Sequence, residues 1–94
     1  MEKSEEIRTI LQSWNPLGEM ASQIVDLDGY EVEAEDILFN VELDFELKSI
    51  KNRKDTVRHI VKDVLNETFG LHLSVQDCER YADLIYEIII RNET

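Results

Sequence analysis

Asp and Glu carboxylates are the most numerous side chains of this chain that could take part in acid–base chemistry. Residues 26–46 include nine of them and no basic residue, whereas residues 48–62 hold six lysines and arginines and one acid, Asp55. A catalytic carboxylate pair needs one member desolvated in a cleft, because desolvation separates the two pKa values. The alternating acids of residues 31–36 are instead typical of a solvated surface.

Part of the acidic stretch follows the spacing of a calcium-binding loop. Asp26, Asp28, Gly29 and Glu35 match the third, fifth, sixth and twelfth positions of an EF-hand loop. The first position, which should supply an aspartate ligand, is occupied by Ile24. We therefore predict a solvated turn here, with no bound metal and no other cofactor.

The side chains that could bind zinc or act as a nucleophile are His59, His72 and Cys78. Their spacing fits no structural zinc motif, and no third group completes a Cys–His nucleophile pair. Cys78 falls on an apolar helical face, which predicts a buried, inert thiol, and His59 is predicted to point to solvent. We expect that the protein is not an enzyme.

The formal net charge is -11, which repels nucleic acid and anionic membranes and attracts basic partners. This charge is concentrated in one segment, which we predict to be a surface that binds a basic protein partner. The candidate residues are Asp26, Asp28, Glu31, Glu33, Glu35 and Asp36. The basic patch that follows contains no interleaved aromatic residue, so nucleic acid binding is not expected.

The predicted location is the cytoplasm. A single cysteine forms no internal disulfide, and the N-terminal residues lack the basic and apolar regions of a signal peptide. No apolar run approaches the length of about 20 residues that a membrane span needs.

Helical periodicity accounts for most of the chain. Four helices are predicted at residues 4–14, 31–44, 54–69 and 75–91, with an extra turn near 16–27. Ser4 is placed to cap the first helix, and Asn15 to cap the extra turn. Gly70 and the Ser74–Asp77 pair are the expected end and start signals of the last two helices.

The segment from Ala34 to Leu47 fits two structures. Ala34, Ile37 and Val41 lie on one face of a helix, whereas residues 39–47 alternate apolar and polar side chains as a strand does. A lone strand would leave its backbone groups unpaired, which favours the helix. An α+β fold with a short strand at 39–47 is the alternative.

We therefore predict one all-α domain, residues 1–94, built as a compact four-helix bundle. The predicted core consists of Trp14, Ile60, Val64, Phe69, Tyr81, Ile85 and Ile88. The apolar stripe of the last helix is widened by Leu84, Tyr86 and Ile90. Such a wide stripe indicates either a central helix or an interface between two copies of the chain.

Several short motifs resemble one family. They are Trp14-Asn15-Pro16-Leu17-Gly18, then Tyr30 with Glu33 and Ile37, then Phe69-Gly70 and Cys78. Together they resemble the YugE-like family of small Bacillus-type proteins. The resemblance implies a compact all-helical domain in a cytoplasmic protein and implies no activity.

The predicted function is a non-enzymatic interaction module that docks a basic protein, in the manner of immunity proteins and antitoxins. Two alternatives stay open. One is a DNA mimic whose carboxylates imitate phosphates, and the other is a structural homodimer without a ligand.

Overall fold

The computed structural model describes residues 2–24, 27–47 and 53–91, except for the side chains of residues 46 and 47. The described residues form four α-helices joined by short connections. These are α1 (Lys3–Trp14), α2 (Glu31–Leu47), α3 (Arg53–Phe69) and α4 (Val75–Arg91). Two 3-10 turns, Gly18–Gln23 and Asp28–Tyr30, connect α1 to α2.

The predicted all-α fold is confirmed. The alternative strand at residues 39–47 is wrong, because this segment completes α2. Its apolar residues Ile37 and Val41 are one helical turn apart and both fully buried. The helix satisfies its own backbone hydrogen bonds, whereas an isolated strand would have none to share.

Helix α1 ends in a tight corner at Asn15. The backbone of Asn15 is left-handed, with φ 50°, and its N–H donates to the carbonyl of Leu11 at 2.7 Å. Its side-chain Nδ2 donates to the carbonyl of Gly18 at 3.3 Å. Asn15 therefore closes α1 and does not cap a second α-helix. The predicted cap Ser4 is also wrong, because α1 begins one residue earlier and its N-cap is Glu2.

The connection from α3 to α4 follows the predicted signals. Gly70 is left-handed, with φ 65°, and its N–H donates to the carbonyl of Asn66 at 2.8 Å. At the start of α4, Ser74 and Asp77 each accept the other's backbone N–H, at 3.1 and 2.9 Å. The side-chain amide of Asn66 adds two hydrogen bonds to the backbone of Leu73. The turn is thus anchored to both helices.

Each helix packs against two neighbours, so that α1, α2, α3 and α4 form a closed ring around one core. Along α3 the inner positions are taken by Val57, Val61 and Leu65, all fully buried. The other buried residues come from α1, α2 and α4 and from the α1–α2 connection. They include Ile7, Leu11, Leu17, Leu27, Tyr30, Ala34, Ile37, Val41, Cys78, Ala82, Ile85, Ile88 and Ile89.

Of the predicted core residues, Ile85 and Ile88 are buried, whereas the other five are only partly buried. Half-buried residues that pack against the core include Trp14, Ile60, Val64 and Phe69, and Tyr81 is also half-buried. The rings of Trp14 and Tyr81 stack with their centroids 4.8 Å apart, which joins α1 to α4.

A two-pronged ion pair joins α3 to α4. The guanidinium of Arg58 donates from Nε and Nη2 to the two carboxylate oxygens of Asp83, at 2.8 and 2.9 Å. These hydrogen bonds lower the pKa of Asp83 below its ordinary value. Both side chains are mostly shielded from solvent, so this pair has the geometry that makes an Arg–carboxylate contact specific.

Candidate functional site

The two sides of α2 have different surroundings. Tyr30, just before the helix, and Ala34, Ile37 and Val41 within it, face the core and are at most 2% exposed. On the opposite side, Phe39 is 66% exposed, Val32 53% and Leu43 39%. An α-helix turns about 100° per residue, so these three exposed residues fall within about 40° of one another. They form one apolar stripe along the outside of the helix.

Carboxylates line both sides of this stripe. Glu31, Glu35 and Glu42 follow on one side of Phe39, and Asp36 lies on the other. All four side chains are exposed. We call the stripe and these carboxylates together the α2 face; its members are Glu31, Val32, Glu35, Asp36, Phe39, Glu42 and Leu43.

The acidic surface continues onto the neighbouring helices through two clefts. Between the starts of α1 and α2, a cleft of about 100 Å³ is lined by Glu2, Ser4, Glu5, Arg8, Glu31 and Glu35. Between α2 and α3, a larger cleft of about 250 Å³ is lined by Asn40, Asp44, Ile60, Asp63, Val64 and Glu67. Negative charge therefore extends away from the stripe in both directions.

The start of α2 is fixed by hydrogen bonds to the corner after α1. The hydroxyl of Tyr30 donates to Oδ1 of Asn15 at 2.7 Å and accepts the backbone N–H of Leu17 at 3.3 Å. The ring of Tyr30 packs edge-on against Phe69, with centroids 6.2 Å apart. Tyr30 thus ties the α1 corner, α2 and the end of α3 together.

The turn that leads into α2 has an unusual backbone. Asp28, Gly29 and Tyr30 all have positive φ, at 46°, 62° and 68°. Left-handed backbone costs about 1–2 kcal/mol at a residue other than glycine. Arg8 supports this turn from α1, because its guanidinium donates to the carbonyls of Asp28 and Gly29 at 2.7 and 3.3 Å.

No protein-family model, curated protein or solved structure matches this chain. The resemblance to the YugE-like family stays a prediction. The residues that carry the resemblance nevertheless have a clear structural role, because Asn15, Leu17 and Tyr30 build the hydrogen-bonded corner before α2.

The predicted acidic residues do not all share one surface. Glu31, Glu35 and Asp36 lie on the α2 face, and the exposed Asp28 lies in the preceding turn. Asp26 lies outside the described residues. Glu33 does not lie on the α2 face, contrary to the prediction. It is 5% exposed and lies on the buried side of α2, one turn before Ile37.

Glu33 carries an unsatisfied polar group into the core. Its Oε1 is buried and has no hydrogen-bond partner. Burial raises the pKa of Glu33 above its ordinary value, and the nearby negative charge of Asp36 raises it further. Ionised Glu33 is therefore a cost to the folded state and not part of a charged binding surface.

Replacing Glu33 with glutamine is expected to leave the protein at least as stable at pH 7. The folded state holds the Glu33 proton more tightly than the unfolded state, so this residue reduces stability as pH rises above about 4.5. Glutamine stays neutral and loses this dependence. The free energy of unfolding is measured in urea at pH 4 and pH 7. Its change between these pH values should be less unfavourable for Glu33→Gln than for the unchanged protein. The same change in both proteins would contradict the raised pKa.

The apolar part of the α2 face was not predicted from the sequence. Phe39 and Leu43 belong to the alternative strand predicted at residues 39–47, Val32 is not among the predicted site or core residues, and Glu42 is not among the predicted acidic site residues. The available signal was their spacing: Val32 and Phe39 are seven residues apart and Leu43 follows after four, which places them on one helical face.

The remaining candidates are separated from one another. Cys78 is buried, and desolvation raises the pKa of its thiol to about 11. His59 is exposed and its Nδ1 lies 2.9 Å from the carbonyl of Asp55, within the same helix. His72 is exposed in the α3–α4 connection. Within the described ranges, no group of three or more His, Cys, Asp or Glu side chains is arranged to hold a metal ion.

The wide stripe of α4 is not one surface. Leu84 is 47% exposed, whereas Tyr86 and Ile90 are half-buried on the other side of the helix, about 120–160° away. The three residues therefore do not form the single interface predicted from the sequence. Leu84 instead lines an open groove of about 360 Å³ between α1 and α4, with Ile10 and Ile88.

None of the described helices is long and apolar enough to cross a membrane.

Proposed function

We propose that this protein is a non-enzymatic interaction module whose α2 face docks a basic protein partner. The observation that supports this most is Phe39, an aromatic side chain that is 66% exposed in the middle of a carboxylate surface. Protein interfaces concentrate their binding energy in a few central residues, often aromatic, surrounded by a polar rim. Complementary charge on the rim accelerates association and selects the partner.

The chemistry of Cys78, the candidate nucleophile, supports a non-enzymatic role. A cysteine acts as a nucleophile through its thiolate. With a pKa of about 11, Cys78 is almost entirely in the thiol form at neutral pH. Its side chain is also fully buried in the core, away from any substrate.

The apolar stripe favours protein docking over DNA mimicry. A mimic of nucleic acid needs carboxylates at the positions of phosphates, with little apolar surface between them. Here Val32, Phe39 and Leu43 occupy the centre and the carboxylates surround them. This arrangement suits a partner that offers both an apolar patch and basic side chains, as an immunity protein or antitoxin requires of its target.

The test is a capture experiment with the combined variant Phe39→Ser, Glu35→Lys and Glu42→Lys. The unchanged protein should retain a basic protein from host lysate, less strongly at high salt. After purification, that partner should bind the variant at least about 30-fold more weakly than the unchanged protein. This follows because a central anchor contributes about 2 kcal/mol or more to binding.

The matched control is Leu84→Ser with Glu19→Lys and Glu87→Lys. It makes the same charge change and removes one exposed apolar side chain, but on other surfaces of the bundle. The control should bind the partner nearly as tightly as the unchanged protein. Equal losses in the two variants would show that net charge alone drives binding and would remove the α2 face from the proposal.

The groove between α1 and α4 favours a second candidate, a structural homodimer. Leu84, Ile10 and Ile88 give this groove an apolar floor, and Glu6, Glu87 and Arg91 supply both signs of charge at its edges. Sedimentation of the same two variants separates the candidates. Self-association that is lost in the Leu84 control and kept in the Phe39 variant would favour the homodimer.

A further inference from the structure

The α2 face has the form of a straight, narrow row. Val32 and Phe39 are seven residues apart, and so are Glu35 and Glu42. A seven-residue repeat advances almost two full turns of an α-helix, so each pair stays aligned along the axis. From Val32 to Leu43 the row is about 16 Å long, at 1.5 Å per residue.

The row can be bound only through side chains. The backbone groups of α2 are engaged within the helix, and the part of the chain that the structure describes contains no sheet edge to which an extended peptide could add. A second helix is the element that packs along a straight side-chain row, because knobs from one helix fit between the side chains of the other.

The charges define the partner helix further. Carboxylates lie on both sides of the stripe, so a complementary helix needs basic residues on both sides of its own apolar stripe. A second copy of α2 does not meet this requirement, since Glu31, Glu35 and Glu42 would face carboxylates. The acidic clefts beside α2 extend the same preference to longer basic side chains.

We infer that the α2 face receives a basic amphipathic α-helix, packed lengthwise on Val32, Phe39 and Leu43 with its lysines or arginines against the flanking carboxylates. This inference rests on the proposed function and adds the type of element that the partner presents. A partner that docks through a basic loop or a flat basic surface is the competing outcome.

The inference is tested with three synthetic peptides, each about three heptads long. The first has leucine at the a and d positions and lysine at e and g, so that its own charges oppose self-pairing. The second has the same composition in scrambled order, and the third has glutamate in place of lysine. Binding to the purified protein is followed by fluorescence anisotropy of a labelled peptide, and helix formation by circular dichroism.

The lysine peptide should bind at least about tenfold more tightly than the scrambled peptide and gain helicity when bound. Phe39→Ala should weaken this binding about tenfold or more, whereas Leu84→Ala, also on an exposed apolar residue, should leave it unchanged. Glu35→Lys with Glu42→Lys should exchange the preference, so that the glutamate peptide becomes the tighter ligand. Exchange of preference cannot result from unfolding of the variant.

Other results would overturn the inference in distinguishable ways. Equal binding of the lysine and scrambled peptides would reject the helix and leave a basic partner in place. Failure of all three peptides, with capture of a basic protein still dependent on Phe39, would also reject the helix alone. Failure of the peptides together with a capture that ignores the α2 face would reject the proposed function as well.

Discussion

Replacing Ile37 with alanine should lower the free energy of unfolding by about 2–5 kcal/mol, whereas replacing Phe39 with alanine should change it by less than about 0.5 kcal/mol. Ile37 is fully buried on the inner side of α2, and its truncation leaves a cavity in the ring of helices. Phe39, two residues later, is mostly in solvent. The larger ring thus contributes less to folding than the smaller aliphatic chain.

Urea unfolding followed by circular dichroism gives both values, with the slope of the transition as a check that the unfolded states are comparable. The comparison tests which side of α2 faces the core, and the α2 face depends on this orientation. If Phe39→Ala proved as costly as Ile37→Ala, Phe39 would be a core residue and the proposed docking surface would be withdrawn.

Replacing Tyr30 with phenylalanine should cost about 1–3 kcal/mol of stability, although only one oxygen atom is removed. The Tyr30 hydroxyl is the acceptor for the backbone N–H of Leu17, in a buried position, and the donor to Asn15. Without it, the Leu17 N–H is left without its acceptor, and the cost of desolvating that group is no longer offset. Thermal or urea unfolding measures the loss.

Tyr86→Phe is the matched control for this change. Tyr86 is half-buried, with its ring 5.9 Å from the ammonium of Lys54, so loss of its hydroxyl keeps the contact that the structure shows. Its stability should stay within about 0.5 kcal/mol of the unchanged protein. Similar losses in the two variants would indicate that the Tyr30 hydrogen bonds do not hold the corner.

The end of α3 and the start of α4 could be predicted from local signals, whereas the caps predicted at Ser4 and Asn15 are wrong. Gly70 and the Ser74–Asp77 pair specify their backbone through their own side chains or lack of one, so their neighbours in sequence are sufficient. For residues 34–47, the need to pair backbone groups predicts a helix, and the structure confirms this prediction.

The orientation of α2 could not be predicted in the same way. Its apolar residues lie on two opposite sides, Ile37 and Val41 on one and Val32, Phe39 and Leu43 on the other. Which side is buried depends on the corner at Asn15 and Tyr30, which brings together residues far apart in sequence. For the same reason the acidic run did not reveal that Glu33 points inward while Glu31 and Glu35 point outward.

The ring order of the helices has a consequence for how the chain folds. Three of the four helix contacts join neighbours in sequence, and bundles of this type fold within microseconds to milliseconds. The contact between α1 and α4 alone joins the two ends of the chain, and its seam holds the stacked pair of Trp14 and Tyr81. Trp14 is the single tryptophan of the sequence. Its fluorescence therefore reports the moment at which the ring closes, separately from the formation of the helices themselves.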